Sequence, residues 1–143
     1  MLIEQISVFV ENKPGRLAEI TDVLHKNNVD IRAMSIADTR DFGILRLIVS
    51  KPALAESALK EAGYTVSLTK VVAIGVEDRP GGLASAMKAL YENGISVEYM
   101  YAFVSRVKDC AFVILRVEDN DRAIDALTAA GLTDLQSCDV YDM

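Results

Sequence analysis

Residues 8–18 of this 143-residue chain read Val-Phe-Val-Glu-Asn-Lys-Pro-Gly-Arg-Leu-Ala, and residues 74–84 read Ile-Gly-Val-Glu-Asp-Arg-Pro-Gly-Gly-Leu-Ala. Glu11, Pro14, Gly15, Leu17 and Ala18 thus recur 66 positions later as Glu77, Pro80, Gly81, Leu83 and Ala84. The same spacing carries Leu24 to Leu90, Asn27 to Asn93, Val29 to Ile95, Ile31 to Val97 and Met34 to Met100. Farther on, Ala58-Leu-Lys-Glu-Ala-Gly63 returns as Ala126-Leu-Thr-Ala-Ala-Gly131 at a spacing of 68, so the second copy carries two extra residues, expected in the hairpin loop between its second and third strands. A long repeat of this kind means one supersecondary unit built twice, here over residues 1–69 and 70–143.

Within each copy the periodicity alternates between strand and helix. Residues 3–11 are β-branched or aromatic enough for a strand. Pro14 then opens a helix at its first turn, with Asn12 or Lys13 near the cap, and Leu17, Ile20, Val23 and Leu24 share one face until Asn27-Asn28 stops it. Residues 29–37 are extended, Arg40-Asp41 turns the chain, and 43–49 form another strand. Pro52 starts a second helix bearing Leu54, Ala58 and Leu59, which Gly63 ends before a short strand over 64–68. The second copy predicts strands near 71–77, 95–105, 109–118 and 133–140, with helices near 80–93 and 120–130. Both copies therefore read βαββαβ, an α+β class with antiparallel sheets.

Such a sheet carries both helices on one face and leaves its edges open. Ile31, Ala33 and Ala37 interleave with Met34 and Ile36, and Val97, Tyr99, Tyr101 and Phe103 with Met100, Ala102 and Val104. Apolar residues in both phases predict burial on both faces. The copies are expected to pack side by side into a continuous sheet through these second strands, and the chain to form a homodimer through remaining apolar surface. A charge placed at Met100 is then expected to disturb folding or assembly.

Composition narrows the function classes. With 51% hydrophobic residues the chain can bury a core, and a net charge of −6 with scattered Lys and Arg gives no pull toward nucleic acid. No basic leader or apolar run of membrane-spanning length occurs, so a soluble cytoplasmic protein is expected, with no membrane partner. Cys110 and Cys138, with His25 the sole histidine, offer neither a zinc set nor a disulfide framework, and no cofactor is expected. His25 falls on the polar side of the first helix, Asp38, Asp41, Asp109 and Asp119 fall in turns, and no nucleophile–base pair is evident, so the chain is expected not to be an enzyme.

Glu11-Asn12-Lys13-Pro14-Gly15-Arg16-Leu17 after a strand, with Glu77-Asp78-Arg79-Pro80-Gly81-Gly82-Leu83 in the second copy, resembles the Pro-Gly-x-Leu signature of ACT domains. The resemblance covers nearly the whole chain, which also resembles stand-alone tandem ACT proteins without an enzyme domain. It implies two ferredoxin-like domains that bind a small regulatory ligand, most often an amino acid, where the first strand turns into the first helix, facing the second strand of a neighbouring unit. It also implies a regulated enzyme or transporter as partner; the rival reading is an assembly module that binds no effector.

The residues explain how such a turn could work. Helix-start N–H groups lack internal partners and sit at the positive end of the dipole, so a carboxylate needs no basic side chain there. Pro14, Gly15, Leu17, Pro80, Gly81, Gly82 and Leu83 shape the two turns. Asn12 and Asp78 either cap the helices or contact the ligand. Arg16 is either a solvated helix residue or a contact. Met34, Ser35, Tyr99 and Met100 lie on the strands that such turns face, where Met and Tyr either pack or line a pocket. The two sites are expected to be unequal: Asp78 is charged where Asn12 is neutral, and Gly82 is expected to open room that Arg16 denies the first turn.

Overall fold

In the computed structural model, residues 2–38, 40–104 and 109–132 are described. The chain divides into two compact units, one spanning Glu4–Thr69 and the other containing the described residues from Lys70 on together with Leu2 and Ile3. The elements of the first unit are β1 (Leu2–Glu11), α1 (Arg16–Lys26), β2 (Ile31–Asp38), β3 (Phe42–Val49), α2 (Pro52–Glu61) and the start of β4 (Thr65–Glu77). Those of the second are the rest of β4, α3 (Gly82–Glu92), β5 (Val97–Val104), β6 (Cys110–Val117) and α4 (Asn120–Ala129). The ferredoxin-like α+β reading holds. The strand expected over 133–140 lies outside the described residues, as does Cys138. The strands expected separately over 64–68 and 71–77 are one 13-residue strand.

Strands run β2-β3-β1 in the first unit and β4-β6-β5 in the second, all antiparallel. Ile6, Val8 and Val10 of β1 alternate with outward residues and meet Leu45, Leu47 and Val49 of β3 beneath Ile20, Leu24, Ala55 and Leu59 of the helices. The second unit repeats the arrangement with Val72, Ile74 and Val76 beneath Ala86, Leu90, Ala123 and Leu127. Period-2 strands under period-3.6 helices give each unit its own core.

The repeat extends to the helix ends. Asn27 Nδ2 donates to the Val23 carbonyl at 2.9 Å, and Asn93 Nδ2 to that of Ala89 at 2.8 Å. These Asn side chains add a donor to last-turn carbonyls, the Val23 carbonyl also accepting from the Asn27 N–H at 3.3 Å. Three residues, 39–41, separate β2 from β3 and five, 105–109, separate β5 from β6, so the two extra residues fall in the second hairpin as the spacing predicts.

Three expectations need correction. Helix α1 starts at Arg16 with Gly15 as its N-cap, not at Pro14, because the left-handed Gly15 cannot continue a helix. Leu17 is 41% exposed and lies off the buried face, which is carried by Ile20 and Leu24. Two-sided burial of the second strands is absent in the single chain: Met34 and Ile36 are each 48% exposed, because β2 is outermost in its unit. A charge at an exposed position such as Met100 therefore bears on assembly more than on folding.

Leu24 and Leu90 occupy matched, fully buried positions, each 1% exposed. Truncating either to Ala should destabilise its unit by about 2–5 kcal/mol, read as a shift of the urea midpoint at constant slope.

Candidate functional site

The two strand-to-helix turns are built on one set of hydrogen bonds. In the first, Lys13 N–H donates to Glu11 O at 2.8 Å, Asn12 N–H to Asp41 O at 2.9 Å and Glu19 N–H to Gly15 O at 2.9 Å. In the second, Arg79 N–H donates to Glu77 O at 2.9 Å, Asp78 N–H to Asp109 O at 3.0 Å and Ser85 N–H to Gly81 O at 3.3 Å. Each turn is thus tied to the hairpin beside it through the carbonyl of an Asp, a role for Asp41 and Asp109 that their side chains did not signal.

Gly15 and Gly81 adopt φ of 90° and 91°, and a Cβ on either would meet nothing within 4 Å. The dihedral demands glycine there, and the space outside it is open. The N–H groups of Gly15, Leu17 and Ala18, and of Gly81, Leu83 and Ala84, have no backbone acceptor among the described residues. They lie at the positive ends of α1 and α3, where a carboxylate is favoured. Neither helix has a side-chain cap, so Asn12 and Asp78, both exposed, do not cap; Asn12 Nδ2 instead lies 3.5 Å from Arg40 O.

Beside the first turn is a cavity of ≈ 100 Å³ lined by Val10, Glu11, Asn12, Lys13, Arg16, Leu17, Ile36 and Gly43. It gathers Asn12, Arg16 and Leu17 from the sequence-predicted set, and the exposure of Leu17 and Ile36 is explained by their facing it. Met34 and Ser35 do not line it. Met34 pairs with Leu47 on the helix-covered face and Ser35 with Arg46 on the other, since adjacent strand residues point to opposite faces. Tyr99, opposite Arg116, and Met100, opposite Leu115, separate in the same way. Ile36, read from the sequence only as an apolar strand residue, lines the cavity, and its spacing of two from Met34 places both on the same face.

On the other flank of α1 lies a groove of ≈ 390 Å³ lined by Phe9, Glu11, Arg16, Glu19, Ala62, Gly63, Tyr64 and Thr65. Here Arg16 Nη1 is 3.0 Å from Glu19 Oε2 and Arg16 Nη2 is 3.6 Å from Glu11 Oε2. The Tyr64 hydroxyl donates to Glu19 Oε2 at 2.7 Å, and Lys13 Nζ lies 2.7 Å from Glu11 Oε2. The Tyr64 hydrogen bond, then Arg16, holds the Glu19 carboxyl below the usual range. Lys13, with Arg16 adding, does the same for Glu11, while Glu19 raises Arg16. Burial, then Glu19, raises the Tyr64 phenol.

The second unit has a matching groove of ≈ 330 Å³, lined in part by Glu77, Arg79, Gly82, Ser85 and Leu132. Gly82 replaces Arg16, Ser85 replaces Glu19 and Leu132 replaces Tyr64, leaving a Glu77–Arg79 ion pair. Gly82 is required by close backbone approach: a Cβ there would lie 2.1 Å from the Glu77 carbonyl oxygen. Its own backbone fills the space, with Gly82 N–H 3.0 Å from Arg79 O where Arg16 N–H is 3.4 Å from Lys13 O. Pro80 and Gly81 are exposed, and Leu83 packs partly against the second core.

Residues 1–143 match the model of the ACT domain pair. The chain belongs to that family. No curated protein matches it. Among solved structures it is similar to protein BT0572 from Bacteroides thetaiotaomicron, with 40% identity, coverage of 100% of this chain and 98% of that one, and a TM-score of 0.92. It also resembles the regulatory subunit of aspartate kinase from Thermus thermophilus, at 20% identity over 91% of this chain and 97% of that chain, TM-score 0.63. The corresponding subunit from Thermus flavus is 17% identical over 92% and 95%, TM-score 0.63. At such identities these two likenesses are of fold. Among the described residues of this ACT pair, no cluster of His, Cys, Asp and Glu could hold a metal ion, and no helix is long and apolar enough to cross a membrane.

Gly81→Ala should cost about 1–2 kcal/mol through its left-handed backbone, whereas Gly82→Ala should cost more by forcing the Glu77 carbonyl aside. Arg16→Ala, a partly exposed ion-pair loss, should stay under about 1 kcal/mol. Urea unfolding of the three variants checks this order.

Proposed function

We propose that this ACT pair is a non-catalytic regulatory protein that senses a small molecule, an amino acid, with the α-carboxylate held on the unpaired N–H groups of the Pro-Gly turns. One observation carries the reading: both repeats present Gly15, Leu17 and Ala18, or Gly81, Leu83 and Ala84, as helix-start donors without backbone acceptors, next to a glycine around which a Cβ would meet nothing within 4 Å. Family membership supports it, as does likeness in fold to proteins described as regulatory subunits of aspartate kinase. Each repeat, 1–69 and 70–143, is then one ligand-binding domain. Asn12, Pro14, Gly15, Arg16 and Leu17 shape the first turn, and Asp78, Pro80, Gly81, Gly82 and Leu83 the second. Met34, Ser35, Tyr99 and Met100 stand on the second strands that a neighbouring unit's turn faces in such proteins.

The two turns differ in charge, so the sites are unequal, and the chain works as a cytoplasmic homodimer acting on an enzyme or transporter. Exposed Met34, Ile36 and Met100 on the outer strands favour self-association. A second reading, an assembly module without effector, keeps this surface and dispenses with the turns.

Thermal unfolding against each common amino acid separates the two. A ligand at about 100 times its Kd adds about 2.7 kcal/mol and should raise Tm by about 5–10 °C. If none at millimolar concentration moves Tm beyond about 1 °C, the assembly module is the better account.

A further inference from the structure

We propose that Glu19, positioned by Tyr64, is a specificity-determining residue of the first turn: it neutralises Arg16, so that the turn accepts an α-carboxylate on backbone N–H groups alone and rejects a ligand with a second carboxylate. This rests on the reading of the turn as an amino-acid site. Arg16 lines both the turn cavity and the outer groove, and is the cation nearest the helix start apart from Lys13. Left to itself it would make the turn electropositive and attract any dianion. Instead its two Nη atoms are taken by Glu19 at 3.0 Å and Glu11 at 3.6 Å, while Glu11 also takes Lys13 at 2.7 Å. Two carboxylates thus balance two cations.

Tyr64 makes this a built arrangement. Its hydroxyl donates to Glu19 Oε2 at 2.7 Å, the same oxygen that Arg16 meets, and so fixes the carboxylate beside Arg16. The second unit keeps the backbone of the turn and dispenses with all three side chains, Gly82, Ser85 and Leu132 standing in their places. The fold therefore does not require the Arg16–Glu19–Tyr64 chain. Its second turn carries Glu77, Asp78 and Arg79, one negative charge in excess, and so also disfavours an extra carboxylate.

The test uses isosteric ligand pairs on the full chain: aspartate against asparagine and glutamate against glutamine, each competed by calorimetry against the tightest-binding common amino acid. The unsubstituted protein should prefer the amide in both pairs. Glu19→Gln, which keeps shape and removes charge, should shift the acid-to-amide ratio about two- to fivefold toward the acid, the size of an exposed ion-pair effect. The shift should fade in about 0.5 M salt and vanish in the double variant Arg16→Gln/Glu19→Gln. Tyr64→Phe should give a smaller shift of the same sign, with Tm nearly unchanged in every variant. An unchanged ratio in Glu19→Gln, or equal binding of acid and amide by the unsubstituted protein, overturns the role of Glu19 while leaving amino-acid sensing intact. Binding of no amino acid by any of the proteins overturns both.

Discussion

Both repeats depend on one backbone constraint, the left-handed glycine that ends a strand and caps a helix. At φ near 90° Gly15 and Gly81 swing the chain from β into α within four residues, and the helix begins without a capping side chain. Ser or Asp at that position would have supplied an oxygen to the first N–H groups and occupied them. Glycine leaves those donors without a capping oxygen. The turn is then held from behind, by Asn12 and Asp78 N–H groups on the Asp41 and Asp109 carbonyls, so the hairpin of each unit fixes where the donors aim.

The side chains diverge where the backbone does not. The first copy surrounds its turn with Lys13, Arg16, Glu11 and Glu19, paired among themselves, while the second has only Glu77 and Arg79 in contact beside an exposed Asp78. Surface pairs of this kind contribute little to stability. Their arrangement matters for the field at the helix start, where a net unit of charge adds to or subtracts from the dipole. Gly82 has a separate cause: α3 starts so close to the Glu77 carbonyl that no Cβ fits, and the loss of an Arg at this position follows from that approach.

Sequence reading reached the fold because period and repeat agreed. Ile20, Leu24, Ile6, Val8 and Val10 announce their burial through spacing alone, and the 66-to-68 change in spacing located the longer hairpin. It misplaced the start of α1 because Pro ordinarily opens a helix, whereas the dihedral of Gly15 is invisible in sequence. It set Leu17 on one face with Ile20 and Leu24 as well as in the turn, because helical spacing cannot tell a stripe facing the sheet from one facing a cavity at the sheet's edge. It grouped Met34 with Ser35 and Tyr99 with Met100 by adjacency, although neighbours in a strand face opposite ways. The Glu19–Tyr64 contact, 45 positions apart, joins a helix to a strand lead-in and leaves no local pattern at all.

A chain that repeats its donors and varies their surroundings separates two physical tasks. On the proposed reading, backbone N–H groups would meet what all α-amino acids share, a carboxylate, and among substitutions only proline would remove them. Discrimination must then come from groups beside the turn that touch what differs between ligands. In the first unit that position is occupied by a balanced ion cluster with Leu17 and Ile36 walling a ≈ 100 Å³ cavity, and in the second by Glu77, Arg79 and a backbone too close for any side chain at Gly82. If the turns bind as proposed, differences at these few positions are sufficient to give one mode of anchoring and two different preferences without altering either core.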